Sequence, residues 1–301
     1  MKKSINIAYK ILPHILFVIL ITIQFTEGYF VHKGFVPFVI GMSILEILCI
    51  LRHNKSGNSG VFAILFGFLT IWHLYANNFA EQKSGLLPPP SYIANVIYED
   101  RTLILNGMVS SSARLGGAFL TALVLGIVIG LLCGKIKRLQ TSLMPVSEAI
   151  ASVPALVYAP YTVAVFGDFQ KSAFFIITVG LFFPIMLNTI NTVNTFPKVL
   201  SDNAKMLNVS FCTYIFRVLL PYSLPSLFNT VSSQIANAFI LLIGAEMLGM
   251  TVGAGWYVKY YSDMMNYQRV IAGFVVIALL VAVCNMGLDF IRKKIIKWEV
   301  M

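Results

Sequence analysis

DNAKMLNVSFCTYIFRVLLP, residues 202–221, is the one long polar, mixed segment in the C-terminal two-thirds of a chain that is otherwise almost entirely apolar. It lies between two apolar runs, carries small residues and a base early, and ends in Val218-Leu219-Leu220-Pro221. Just upstream, Pro197 is suited to a helix start, where a missing N–H is not needed. Asp202, Ala204, Lys205 and Leu207 then read as a short helix with a small-residue face turned outward. Asn208 is a residue able to end that helix in the left-handed conformation. A second amphipathic turn follows through Phe211, Tyr214, Ile215 and Val218, stopped by Pro221 and Pro225. Two readings stand: a docking surface for a soluble partner, or a connecting loop. Loops longer than about 12–15 residues are usually functional.

The surroundings decide the class. Of 301 residues, 58% are hydrophobic and 11% are charged, against about 25% charged in a soluble domain. The chain is therefore an all-α polytopic membrane protein, since helices satisfy their own backbone polar groups in lipid. The net charge of +10 is spread between apolar runs rather than massed in a stripe, so it marks orientation in the membrane and not nucleic-acid binding. Cys49, Cys133, Cys212 and Cys284 lie far apart without CxxC or Cys/His spacing, so neither disulfides nor a metal site is expected. The first apolar run lacks a small-residue cleavage site and reads as an uncleaved span.

A span needs roughly 17–25 mostly apolar residues. Eight stretches qualify: 11–27, 35–52, 60–79, 113–134, 145–166, 172–193, 224–248 and 270–291. With both termini in the cytoplasm, fifteen of the 22 Lys and Arg fall on inner segments, as the positive-inside rule requires. The seven outer bases, Arg114 and Arg269 among them, are interleaved with acidic residues. Three sections follow: an N-terminal extension of three spans (1–80), an outer proline segment with an amphipathic stretch on the membrane surface (81–112), and a five-span core (113–301) that holds the cytoplasmic 197–221 loop.

Several residues carry two readings each. Gly126, Gly130 and Gly134 make a small-residue stripe, either packing within the monomer or forming a dimer seam. Glu246, an ionisable residue in a span, either bonds the glycine-rich turn Gly249–Gly255 and shapes a gate, or meets substrate. Gln234 and Asn237, at mid-membrane, either line a path or bond between helices. Asn188, Asn191 and Asn194 are expected to bond the loop. His73, Asn77 and Asn78 read as packing residues, and Glu46 as a partner of Arg52 or His53. Trp256, Tyr257, Tyr260, Tyr261 and Tyr267 read as an interfacial aromatic belt.

The opening segment also resembles the EAA loop of bacterial ABC-importer permeases, E-A-A, three residues, G, nine residues, I-x-L-P. Asp202 stands at the Glu, Asn203 and Ala204 at the two Ala, Asn208 at the Gly, and Val218, Leu220 and Pro221 at the I-x-L-P. Further segments resemble the nitrate/sulfonate/taurine branch of that family: Leu87-Pro88-Pro89-Pro90-Ser91, Ser152-Val153-Pro154-Ala155-Leu156 with Pro160 and Phe166-Gly167, Phe182-Phe183-Pro184-Ile185, and Ala245-Glu246-Met247-Leu248-Gly249. Family members have one span before the proline segment, whereas this chain has three.

The resemblance implies a type I ABC-importer permease core, used as a homodimer in the bacterial cytoplasmic membrane. It implies ABC ATPase subunits on Asp202, Ala204, Lys205, Leu207, Asn208, Val218, Leu220 and Pro221, and an extracytoplasmic solute-binding protein outside. A path or gate would involve Glu246, Gln234, Asn237, Pro154 and Pro160, and the solute would be small and anionic or a vitamin precursor. ATP and Mg would sit on the partner ATPase, since no GxxxxGK[ST] loop occurs here. A stand-alone proton-coupled transporter, using Glu46 or Glu246, is the competing reading. A membrane-embedded enzyme is a further one, but no paired-Asp or HExxH motif supports it.

Overall fold

The structure, a computed structural model, describes residues 2–26, 35–52, 58–80 and 87–295, without the side chains of residues 2–10, 26, 52, 58, 59, 77–80, 205 and 295. The chain divides into two compact units, residues 1–104 with 258–275, and residues 105–257 with 276–301.

The first unit contains α1 (Lys2–Thr26), α2 (Phe35–Arg52), α3 (Asn58–Ala80) and α4 (Pro90–Glu99). Leu20, Phe38 and Phe66 are buried together where α1, α2 and α3 meet, and Phe17 tilts onto Phe66 at 5.6 Å between ring centroids. Two polar contacts join the same helices. Gln24 Nε2 donates to His73 Nδ1 at 2.9 Å, with both side chains fully buried. Glu46 pairs with His14. The expected partners of Glu46, Arg52 and His53, lie outside the described side chains, as do Asn77 and Asn78.

Pro90 sits in the first turn of α4 and Pro89 precedes it in extended conformation, the position where proline's missing N–H is harmless. Ile93 and Val96 are buried against Ala272. Asp100 accepts from Arg269 Nε at 2.7 Å. The amphipathic stretch, expected on the membrane surface, packs its apolar residues Ile93 and Val96 on protein.

The remaining helices are α5 (Arg101–Lys135), α6 (Lys137–Ala151), α7 (Ala159–Phe166), α8 (Phe169–Asn194), α9 (Lys198–Met206), α10 (Phe211–Tyr214), α11 (Leu220–Met247), α12 (Ala254–Asp263) and α13 (Tyr267–Ile295). In the second unit the core lies between α5, α8 and α11, built on Ala118, Ala122, Ile177, Leu181, Ile185 and Leu242. Lipid tails are as apolar as leucine, so close packing of small residues supplies the association. A Cβ on Gly126, Gly130 or Gly134 of α5 would fall within 3 Å of Ile185, Thr189 or Val193 of α8. The glycine stripe thus packs within the monomer. Lys259 pairs with Asp263 within α12, and the belt expected there is only partial, because Tyr257 is buried while Tyr260 is exposed.

Among the described residues, α5, α8, α10–α11 and α13 are long and apolar enough to cross a membrane, and α1, α2 and α3 contain shorter apolar helices. Two boundaries differ from the sequence reading. The span expected at 113–134 begins at Arg101, and its 35 residues give a rod of about 52 Å at 1.5 Å per residue. The span expected at 145–166 is broken: α6 meets the segment 155–166 at 80°. Pro154 lacks the N–H that would continue α6, and a 3-10 turn over Ala155–Tyr158 follows it.

Candidate functional site

Three parts of the second unit carry polar chemistry or exposed binding surface. The first is the 197–221 segment. The Pro197 carbonyl accepts from Leu200 and Ser201 at 3.1 and 3.2 Å and opens α9. Asn208 ends the helix with φ 48°, the conformation that asparagine tolerates best after glycine. Ser210 then caps α10 through its bond from Thr213 N.

Pro221 does not stop the second turn. The chain runs helically from Phe211 to Met247, and residues Ile215–Leu219 widen into a π turn in which Leu220 N–H reaches Ile215 O. The wide turn ends just before Pro221, where the ring crowds the carbonyl four residues back and no N–H is available for it.

One residue of the α9 segment departs from the sequence reading, while Asp202 and Leu207 are exposed. Ala204, expected on the outward face, is buried with Leu131, Val193, Tyr214, Ile215 and Leu219. The outward groups are large and apolar: Met206 is 82% exposed, Leu207 77% and Val199 70%. Asp202 is exposed, Val218, Leu220 and Pro221 are half-buried, and the Lys205 side chain lies outside the described residues. The segment is tied to the ends of the long helices. Lys135 Nζ lies 3.9 Å over the Tyr214 ring. Tyr214 OH donates to Ser201 Oγ at 3.2 Å, and Phe196 meets Tyr214 and Tyr222 edge-on. Asn188, expected to bond this loop, instead reaches Ser226 on α11 at 3.4 Å.

The second part is Glu246, whose side chain has no exposed surface. Its Oε1 accepts from Ser111 Oγ at 2.7 Å and from Arg114 Nη1, and its Oε2 accepts from Gly255 N at 2.8 Å. Ser111 also accepts from Ala254 N at 2.9 Å. The consecutive N–H groups of Ala254 and Gly255 are therefore pinned, the first to α5 and the second to α11. Gly253 has φ 153°, and a Cβ there would lie 2.5 Å from the Glu246 carboxyl carbon, so the turn accepts only glycine at that point. Glu246 meets the glycine-rich turn, as one sequence reading expects. Arg114 and Ser111 were missed: Arg114 was counted among the outer bases, although an arginine beside a serine run in an apolar helix is a signal for an internal partner.

The third part is a cavity of about 210 Å³ lined by Pro154, Ala155, Phe183, Asn237 and Leu241, among others. The 3-10 turn reaches α8 and α11 because both are thinned by glycine. A Cβ on Gly180 of α8 would lie 3.0 Å from Ala155 Cβ, and one on Gly244 of α11 would lie 2.7 Å from Leu156 Cδ1. Of the expected path residues, Pro154 and Asn237 line this cavity together. Gln234 accepts from Asn237 Nδ2 at 3.1 Å along the same helix. Pro160 stands at the exposed start of α7, and Glu246 lies within its own network, so neither joins the cavity wall.

The chain and its fold are similar to known transport proteins. Residues 122–298 match the family model described as binding-protein-dependent transport system inner membrane component. The chain is 27% identical over 236 residues to the putative aliphatic sulfonates transport permease protein SsuC of Bacillus subtilis (strain 168), covering 77% of this chain and 84% of that one. It is 28% identical over 190 residues to the nitrate import permease protein NrtB of Leptolyngbya laminosa, covering 63% and 68%. Its fold is similar to a solved chain of the MetNI methionine ABC transporter in an inward-facing conformation, with TM-score 0.58 and 19% identity, over 65% of this chain and 98% of the other. The match over residues 122–298, more than half of the chain, places this multi-pass membrane chain in the binding-protein-dependent transport system inner membrane component family, as a transport permease.

Proposed function

We propose that this chain is the membrane-spanning subunit of an ATP-driven importer in the bacterial cytoplasmic membrane. It acts as a homodimer, receives solute from an extracytoplasmic binding protein, and is moved by ABC ATPase subunits that bind residues 197–221 and carry the ATP and Mg. The observation that carries this reading is α9: Val199, Met206 and Leu207 are exposed, while Ala204 on the same helix packs into the ends of α5 and α8. A partner gripping the outer face of α9 pushes on the inner face, and so on the long helices. Such a push changes a conformational equilibrium only through contacts that differ between its two states. The ATPase supplies those contacts.

The solute is a small anion or a vitamin precursor. The names of the sulfonate and nitrate permeases above support the anionic class. The cavity beside Pro154 offers the Asn237 amide and no charged lining, which suits passage of a polar solute without tight retention. Glu246 has donors on both oxygens and an arginine partner. It therefore shapes the outer turn and does not meet solute.

The test is co-purification. Leu207→Glu is expected to lose the ATPase while the permease still elutes as a folded, monodisperse species in detergent. Retention of the ATPase by that variant would contradict the docking assignment.

A further inference from the structure

We propose that His14, Glu46 and Cys49 form a binding site for a divalent transition-metal ion of the zinc class. His14 stands on α1, while Glu46 and Cys49 stand three residues apart on one face of α2. One ligand atom from each residue lies within 4.8 Å of the other two. The grouping is absent from any short motif because His14 and Glu46 are 32 residues apart, and it reverses the expectation, drawn from cysteine spacing, that no metal binds.

Hydrogen bonding alone leaves the cluster incomplete. Glu46 Oε1 is bonded to His14 Nδ1, but Glu46 Oε2 is buried without a hydrogen-bond partner. An orphaned buried acceptor carries its full desolvation penalty. Coordination removes that deficit, because one cation accepts electron pairs from the carboxylate, the imidazole and the thiolate together.

The donor set selects the ion. Nitrogen, oxygen and sulfur ligands in one site suit zinc and its neighbours, whereas magnesium and calcium take oxygen. Charge selects the valence. A carboxylate and a thiolate balance a dication, the imidazole adds none, and a neutral cluster is the state least penalised in an apolar helix bundle. On binding, the Cys49 thiol releases its proton to solvent. Three protein ligands leave a fourth tetrahedral position for water, and the His14 side chain, 32% exposed, leaves a way in. Bound metal would cross-link α1 to α2.

The test uses the full-length protein, purified in detergent, stripped with chelator and titrated with Co²⁺ as the spectroscopic substitute for zinc. The expected result is a thiolate-to-cobalt charge-transfer band that saturates at one equivalent and is bleached by Zn²⁺. Cys49→Ser abolishes the band, and Cys212→Ser leaves it unchanged. His14→Ala and Glu46→Gln weaken binding by at least about tenfold. Absence of a saturable band in the folded wild-type protein overturns the proposal, as does a band that persists in Cys49→Ser. The wild-type titration decides even where a variant fails to fold.

Discussion

Glu246 and Arg114 show how one buried carboxylate organises its surroundings. The Arg114 side chain is 10% exposed and that of Glu246 fully enclosed, so neither charge can be left alone. Removing one partner of a buried pair typically costs roughly 3–5 kcal/mol. Arg114→Ala is therefore expected to lower unfolding stability in detergent by that order, with Arg114→Ala/Glu246→Gln recovering part of the loss; additive losses in the double-mutant cycle would refute the pairing. At the start of α8, Asp168 Oδ1 accepts from Lys171 N and Gln170 N. These bonds, that from Lys171 first, hold its carboxyl below the ordinary value of 3.8. The folded value being the lower one, this contribution is complete above the ordinary value and is lost as pH falls through the folded value. Asp168→Ala should flatten the acid side of a melting-temperature profile and leave its neutral side parallel to wild type. At this scale the sequence is informative about type more than about partner. Glu246 stands out in its apolar run, yet Ser111 lies 135 residues away from it, and only the fold brings the two together.

At the scale of elements, glycines and prolines explain where the sequence could be read and where it misled. The α5 stripe follows from spacing alone, and its partner is α8. A Cβ at Gly130 would lie 2.6 Å from Thr189 Cβ and 2.9 Å from the Met186 carbonyl, whereas one at Gly116 meets nothing within 4 Å. Gly130→Ala is thus expected to destabilise by about 1–3 kcal/mol. Gly116→Ala, in the same helix, should stabilise by up to about 1 kcal/mol through backbone entropy. Equal effects in the two variants, read by thermal unfolding in detergent, would contradict the assigned packing. Pro154, read as a path residue inside the fifth apolar stretch, proves to break that stretch, and the glycines at 180 and 244 admit the turn that follows. Pro221 was read as a stop and is not one. The π turn before it accommodates the ring, a local adjustment with no mark in apolar periodicity. Ala204 was misassigned for a related reason: in a helix this short, periodicity does not say whether a small residue meets protein or faces out.

For the whole molecule, the helical class and the number of apolar stretches were readable because lipid imposes strong rules on length, backbone satisfaction and charge, while the family was readable only from ordered motifs such as the 202–221 spacing. The two-unit division was not readable, since residues 258–275 join the N-terminal unit across a separation that no local pattern records. The donors on both Glu246 oxygens also weaken the proton-coupled alternative, because a proton carrier must release and regain its ligands. The central claim is that an ATPase drives this permease by gripping the exposed side of α9. It is tested most directly by uptake into proteoliposomes that carry the permease and its ATPase, with ATP enclosed on the ATPase side and the binding protein and its solute supplied on the opposite, entry side. Wild type and Gly116→Ala are expected to accumulate solute when ATP is enclosed and to be insensitive to a protonophore, while Leu207→Glu shows no ATP-dependent uptake despite equal incorporation. Undiminished uptake by Leu207→Glu, or uptake without ATP that collapses with the protonophore, would contradict the account.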